Sequence, residues 1–340
     1  MARTPALGRI PQRGQASRDR RPRVAALGGG HGLAATLGAL RHVTTALTAV
    51  VTVADDGGSS GRLRQELGVL PPGDLRMALS ALCDESEWGH TWRDVLQHRF
   101  SSTGPLHGHA VGNLLISTVW ELLGDQVAGL DLIGQLLGAH GRVLPMAAVP
   151  LDIEADVLHR QGETEHRSLV RGQSRVAVTA GRVERVRVLP ADPPACPEAV
   201  EAIHDADWVI LGPGSWYTSV MPHLLVPEIS RALHTTTARI GLTLNLSAQA
   251  GETSGFSAAD HIRSLADFAP DLRLDVVIAD PTAVEDIDDL SACASALGAD
   301  LLLRQVSEGD GTPRHDTLRL AAAYRDTFER FLGDVGERSR

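Results

Sequence analysis

Arg23 to His42 reads RVAALGGGHGLAATLGALRH. A short apolar strand, RVAAL, runs into Gly28-Gly29-Gly30-His31-Gly32, and LAATLGALRH follows with the composition of a helix. TALTAVVTVA is then a second strand that ends at Asp55. Strand, glycine loop, helix, strand is the order in which a doubly wound parallel sheet begins.

The same grammar continues outward from that unit. Leu70-Pro71-Pro72-Gly73-Asp74 breaks the chain, and DLRMALSALC has helical spacing with Asp74 as its N-cap. GNLLISTVWELLG and LDLIGQLLG are further helices stopped by glycine. From about 143 to 190 the period changes to two, clearest in RVAVT and RVERVRVL, and predicts strands and hairpins inserted between two α/β halves. ADWVILGPGS resumes strand and glycine turn, with a helix expected near Met221; RIGLTLNLS, LDVVIAD and LLLRQV are three more strands. HDTLRLAAAYRDTFERFL closes the chain as an amphipathic helix. The fold class is therefore α/β, a Rossmann-like doubly wound, mostly parallel sheet carrying a β-hairpin insertion. It forms one domain over residues 23–335, preceded by an Arg-rich tail, 1–22, that reads as disordered.

Composition narrows the function classes. The chain has 340 residues, 43% hydrophobic and 22% charged, ordinary for a globular protein. No apolar run approaches the ~18 residues of a membrane span, and the N-terminus lacks a signal-peptide core, so the cytoplasm is the expected location. Of the formal charge of −10, residues 1–23 hold seven Arg and one Asp, leaving the body at −16. An acidic body argues against nucleic acid as the partner. Every one of the 32 basic residues is Arg. A Walker A loop and a Schiff-base enzyme both need lysine, so both classes fall away. The three cysteines match neither a disulfide framework nor a metal site.

The remaining chemistry collects at strand ends. Gly29, Gly30, His31 and Gly32 expose backbone N–H groups at a helix start, a seat for phosphate. Gly212, Gly214 and Ser215 repeat the device in LGPGSWYTSV, and two such loops on parallel strands emerge at one sheet edge. In VADDGGSSGRLR, Asp55 suits a ribose, a sugar hydroxyl or Mg²⁺, with Asp56 and Gly57 in the same loop. Arg62, Arg64 or Arg76 would face phosphate oxygens. Gly112 and Asn113 of HGHAVGN open a helix toward the ligand, and Asn245 offers an amide for a base or an N-acetyl group. No Gly-x-Ser-x-Gly elbow supports a nucleophilic hydrolase.

ALGGGHG, TVADDGGSSGRLR, LPPGDLR, GHAVGN, LGPGSWYTSV and AGETSGFSAADH, in that order, resemble the motif series of the YvcK family within the CofD-like superfamily. The likeness runs from about residue 23 to 332. It implies a single CofD-like domain, cytoplasmic, that binds UDP-sugars such as UDP-N-acetylglucosamine and maintains cell shape and wall synthesis on gluconeogenic carbon. Carried over, Gly29, Gly30, His31 and Gly32 lie at phosphate and Asp55 at the metal or sugar end. Asn113, Gly214, Ser215 and Asn245 line the nucleotide cleft, and Arg314 reaches the sugar nucleotide. Position 31 is His where the family commonly has Thr, and Asp280 stands where relatives tend to carry Asn. Two readings compete: a UDP-sugar-binding regulator that requires no cofactor and is compatible with a homodimer, and a Mg²⁺-dependent transferase of the CofD type that uses Asp55 and Asp56 at a diphosphate.

Overall fold

The computed structural model describes residues 21–161, 164–249 and 251–331. Its strands are β1 (Arg23–Gly28), β2 (Ala46–Val51), β3 (Arg142–Pro145), β4 (Asp152–Gln161), β5 (Thr164–Arg171), β6 (Arg182–Leu189), β7 (Trp208–Leu211), β8 (Arg239–Thr243), β9 (Val276–Ala279) and β10 (Asp300–Leu303). Seven of them form one sheet in the order β10-β9-β8-β7-β1-β2-β3, with every neighbouring pair parallel. Helices cover both faces, which is why β7 and β9 are apolar and buried along their whole length.

The chain lays down β1, β2 and β3 in one direction, then returns to β7 beside β1 and builds the other way through β8, β9 and β10. The order reverses between β1 and β7, where a crevice opens beyond the carboxyl ends of open α/β sheets. Both glycine loops leave the sheet there.

The C-terminal helix Thr317–Phe331 locks this point from below. Tyr324 is fully buried, with its hydroxyl 3.0 Å from Thr243 Oγ1 and 3.4 Å from Thr36 Oγ1. Thr36 in turn donates to the carbonyl of Gly212 at 2.9 Å. Phe328 packs on Trp208 of β7 with ring centroids 5.1 Å apart.

The insertion is a separate antiparallel sheet, β5-β4-β6. Ile153, Ala155 and Val157 of β4 join Val183, Val186 and Val188 of β6 in the core. The charged side chains form cross-strand pairs, Arg187 with Glu154 and Asp156, and Arg167 with Glu184. Two sequence expectations need correction. Arg142–Pro145 belongs to the edge of the central sheet, so the inserted sheet starts only at Asp152. RVAVT is not a strand: Arg175 and Val176 lie in the short helix Gln173–Val176, which the Asp56 carboxylate draws toward the central sheet by accepting from the Ser174 N–H at 2.8 Å. The link between β4 and β5, at 162–163, and the tail over 1–20 lie outside the described residues. Among the described residues no helix is long and apolar enough to cross a membrane.

Candidate ligand-binding site

The two glycine loops pack directly on each other. The first bond of helix Gly30–Leu40 runs from the Leu33 N–H to Gly29 O, so the amides of Gly30, His31 and Gly32 precede the helical ladder. Gly30 has φ +56°, open only to glycine without strain. A Cβ on Gly32 would lie 2.2 Å from Pro213 O and 2.6 Å from Gly214 Cα. His31 is exposed at the helix start.

Polar groups in the second loop are largely spent on shaping it. Gly214 donates its N–H to Asn245 Oδ1 at 2.8 Å and accepts from Asn245 Nδ2 at 2.8 Å. Ser215 accepts from Gln249 at 3.3 Å. The buried Glu252 carboxylate accepts from the Tyr217 N–H at 2.9 Å, at the start of the wide π-type turn Trp216–Val220. Burial raises the Glu252 pKa to about 7 even against that bond. The helix expected near Met221 is two short ones, Pro222–Leu225 and Pro227–Thr235. Asn245 is thus a clamp on Gly214, and Ser215 is engaged with Gln249, so neither is a free recognition group.

Beside the loops lies a cleft of 230 Å³, lined by Asp55, Gly57, Gly58, Ser59, Ser60, Gly73, Asp74, Arg76, Met77, Arg99 and Asn113. Helices Gly58–Leu67 and Gly73–Leu82 both begin in its wall, and their positive ends favour an anion. Asp55 Oδ1 accepts from the Gly57 N–H at 2.9 Å. A Cβ on Gly73 would meet Ser60 Oγ at 2.4 Å and Asp55 Oδ2 at 2.6 Å, so only glycine lets the second helix approach.

Asp74 corrects the sequence reading. Pro72 occupies the cap, while Asp74 sits in the first turn, facing the Gly29–Gly30 loop across the site. Its Oδ2 has no hydrogen-bond partner among the described residues. Burial, followed by repulsion from Asp55, raises its pKa to about 7. One carboxylate from the β2 loop and one from the next helix therefore share the cleft. Together with the Ser60 hydroxyl they form an oxygen donor set suited to a hard cation that keeps some of its waters.

Asn113 organises the opposite wall. It is 1% exposed, accepts from Arg76 Nε at 2.9 Å, and donates to Ser59 Oγ at 3.1 Å and Ser60 Oγ at 3.3 Å. Ser59 Oγ also accepts from the Ala110 N–H at 3.3 Å, so its own hydrogen is left for His109 Nδ1 at 3.0 Å. This fixes His109 as the Nε2–H tautomer. Burial, then the Arg62 charge, lowers its pKa. Gly112 leaves room for Arg76, since a Cβ there would strike Arg76 Cδ at 2.8 Å.

Several anticipated residues serve the framework. Arg64 donates to Leu151 O and pairs with Asp152 at 2.6 Å, tying its helix to the inserted sheet. Asp56 faces Ser174. Arg62 holds the carbonyls of Pro105 and His107. Arg314 is engaged with Glu308 and Asp310 on the surface. Asp280 accepts from Thr282, Val306 and Ser307; burial opposes its ionisation, yet those donors hold its pKa at about 2. Near Arg314 a further cavity, of 630 Å³, is lined in part by Ser247, Thr282, Gln305, Ser307 and Thr312. Sequence reasoning missed Ser59, Ser60, Arg99 and His109. GGSS at a helix start was a usable signal for the serines, whereas nothing local marks Arg99.

A doubly wound sheet with glycine loops, helix N-termini and paired carboxylates at its switch point defines an α/β protein with a candidate site for an anionic ligand. The profile of the family described as 2-phospho-L-lactate transferase CofD matches residues 24–295. A protein of Mycobacterium tuberculosis named as a candidate gluconeogenesis factor is 51% identical over 313 residues, 91% of each chain. The gluconeogenesis factor of Bacillus subtilis is 40% identical over 245 residues, covering 72% of this chain and 74% of its own. A crystal structure of a UPF0052 family member from Bacillus halodurans superposes with a TM-score of 0.79 at 33% identity, covering 89% of this chain and 98% of that one. The chain belongs to the CofD family, among the relatives that carry the name gluconeogenesis factor.

Proposed function

We propose that the protein binds a UDP-sugar, UDP-N-acetylglucosamine, in the switch-point crevice and acts in the cytoplasm as a regulator without turnover, serving cell shape and wall homeostasis during gluconeogenic growth. The observation that carries this reading is the contact of Gly32 with the Pro213–Gly214 turn, which joins two amide-rich loops into one surface at the carboxyl edge. The diphosphate lies over the amides of Gly30, His31 and Gly32, against the Pro213–Gly214 turn. The nucleoside extends toward the 630 Å³ cavity beyond β8 and β9, and the sugar extends toward Asp55. From β2 to β9 is four strand spacings, roughly 19 Å at about 4.8 Å each, a span suited to an extended nucleotide sugar. The names of the relatives support the physiological side.

A second reading, a Mg²⁺-dependent transferase acting on a nucleotide diphosphate donor, is favoured by the Asp55–Asp74 pair and by the family description. Asp55 and Asp74 would hold the ion, which supplies charge neutralisation at a diphosphate. One experiment separates the two readings. The chain is incubated with UDP-N-acetylglucosamine and Mg²⁺, and melting temperature and UDP release are followed together. Stabilisation by the intact ligand without product supports the regulator. UDP release abolished by Asp55→Asn replaces it with the transferase.

A further inference from the structure

Arg76 is buried, at 3% exposure, without a counter-charge in contact. Its Nε and Nη1 bond to the amide oxygens of Asn113 and Gln97, which are neutral, and among the described residues its Nη2 has no partner. Among the described residues no carboxylate oxygen lies within 4.0 Å of it. Arg99, exposed on the rim of the same cleft, bonds only to Gly108 O at 2.9 Å and likewise has no acidic partner within that distance. By contrast, Arg64, Arg142 and Arg187 each make direct carboxylate pairs.

A buried cation held by neutral amides is costly unless an anion completes it. The fold does not let Arg76 escape, because Asn113 and Gln97 fix two of its nitrogens and the backbone of Gly112 packs on its stem. Arg76 and Arg99 line one cleft, with Asp55 and Asp74 also in its wall. The first turn of helix Gly58–Leu67 opens into that space through Gly58, Ser59 and Ser60.

We propose that Arg76 and Arg99, with the amides at Gly58–Ser60, form a separate anion subsite for one phosphate or carboxylate group, apart from the glycine loops assigned to the diphosphate. The 230 Å³ cleft has room for a compact anion beside the carboxylates. The sugar of a simple nucleotide sugar is uncharged. The subsite therefore calls for an acidic group on the non-nucleotide end of the ligand, or for a second, acidic small molecule. This extends the UDP-sugar reading but stands on Arg76 independently of it.

The test uses the whole chain and inorganic phosphate as probe, titrated calorimetrically against chloride at constant ionic strength, with and without saturating UDP-N-acetylglucosamine. Wild type binds phosphate saturably. Arg99→Gln, an exposed change that leaves the core intact, weakens it at least about tenfold, as expected for a lost charge-assisted bond. Arg76→Gln abolishes it, while the distant Arg142→Gln has no effect. Phosphate binding alongside UDP-N-acetylglucosamine keeps the subsite apart from the diphosphate. A nucleotide sugar with a carboxylate on its sugar then separates the sources: competition with phosphate identifies the acidic end of the ligand, and joint binding identifies a second molecule. Competition by UDP-N-acetylglucosamine itself, sensitive to Arg99→Gln, places the diphosphate there and overturns a separate subsite. Absence of saturable phosphate binding, or unchanged binding in Arg99→Gln, overturns the subsite. Unchanged binding displaced by the nucleotide overturns it while leaving the UDP-sugar reading intact. Phosphate binding that depends on Arg99 in a protein indifferent to UDP-N-acetylglucosamine does the reverse.

Discussion

Gly32 lies so close to Pro213 that a Cβ on the glycine would come within 2.2 Å of the Pro213 carbonyl oxygen. The loop after β1 and the loop after β7 are thereby one structural unit, and the crevice exists only while they touch. Gly32→Ala is expected to cost about 1–3 kcal/mol by overpacking against backbone that cannot yield. Ligand affinity should fall by more than that loss explains. Thermal unfolding paired with ligand titration checks both.

Asn245 makes two bonds to one residue, Gly214. Removing the amide leaves a backbone donor and acceptor unmet in a part-buried loop, so Asn245→Ala should destabilise by about 1–3 kcal/mol. Asn245→Asp keeps the acceptor for the Gly214 N–H and loses the donor, and should fall between. Equal stability of all three proteins in denaturant would refute the clamp.

Asp74 sets a pH dependence. The unfolded chain ionises this group near 3.8, whereas the fold retains its proton to about 7. Its contribution is therefore complete below 3.8, is lost as pH rises toward 7, and is absent above that. Glu252, raised from 4.5 to about 7, acts in the same direction. Stability should decline between pH 5 and 7.5 in wild type. Asp74→Asn should be more stable than wild type at pH 8 by about 1–3 kcal/mol, below the limit that 1.36 kcal/mol per unit would allow. Unfolding free energies of both proteins across that range decide it.

A cation must displace the Asp74 proton. Mg²⁺ affinity should therefore strengthen about fivefold from pH 6 to pH 7, about twofold more to pH 8, and level off above that, with proton release below the pKa. Asp74→Asn and Asp55→Asn should each abolish the response, and calorimetry in buffers of different ionisation enthalpy would count the protons.

Asp56 ties the inserted sheet to the cleft loop through the Ser174 N–H. Asp56→Ala should loosen the segment around Gln173–Val176, raising its amide exchange while the central strands stay protected. Unchanged exchange at Ser174 would remove the link.

Legibility in the sequence followed the range of the interactions involved. RVAAL, ADWVIL and LDVVIAD were readable as strands because a strand buried on both faces is a continuous apolar run. The glycine loops were readable because a strand-to-helix turn leaves a local mark. RVAVT misled because its alternation matches a strand, while Asp56, more than a hundred residues earlier, holds Ser174 in a helical turn. Arg64 and Asn245 were expected to face ligand, but their bonding groups are engaged with Asp152 and Gly214.

From its sequence alone the chain determined a doubly wound α/β fold with glycine loops at strand ends, since strand burial and glycine turns are encoded within a few neighbouring residues. Only the tertiary structure decided that Asp74 leaves its expected cap to stand with Asp55, and that Arg76 is buried on neutral amides with one nitrogen unspent. Those outcomes depend on desolvation and on charges from separate helices, which no local pattern of residues carries.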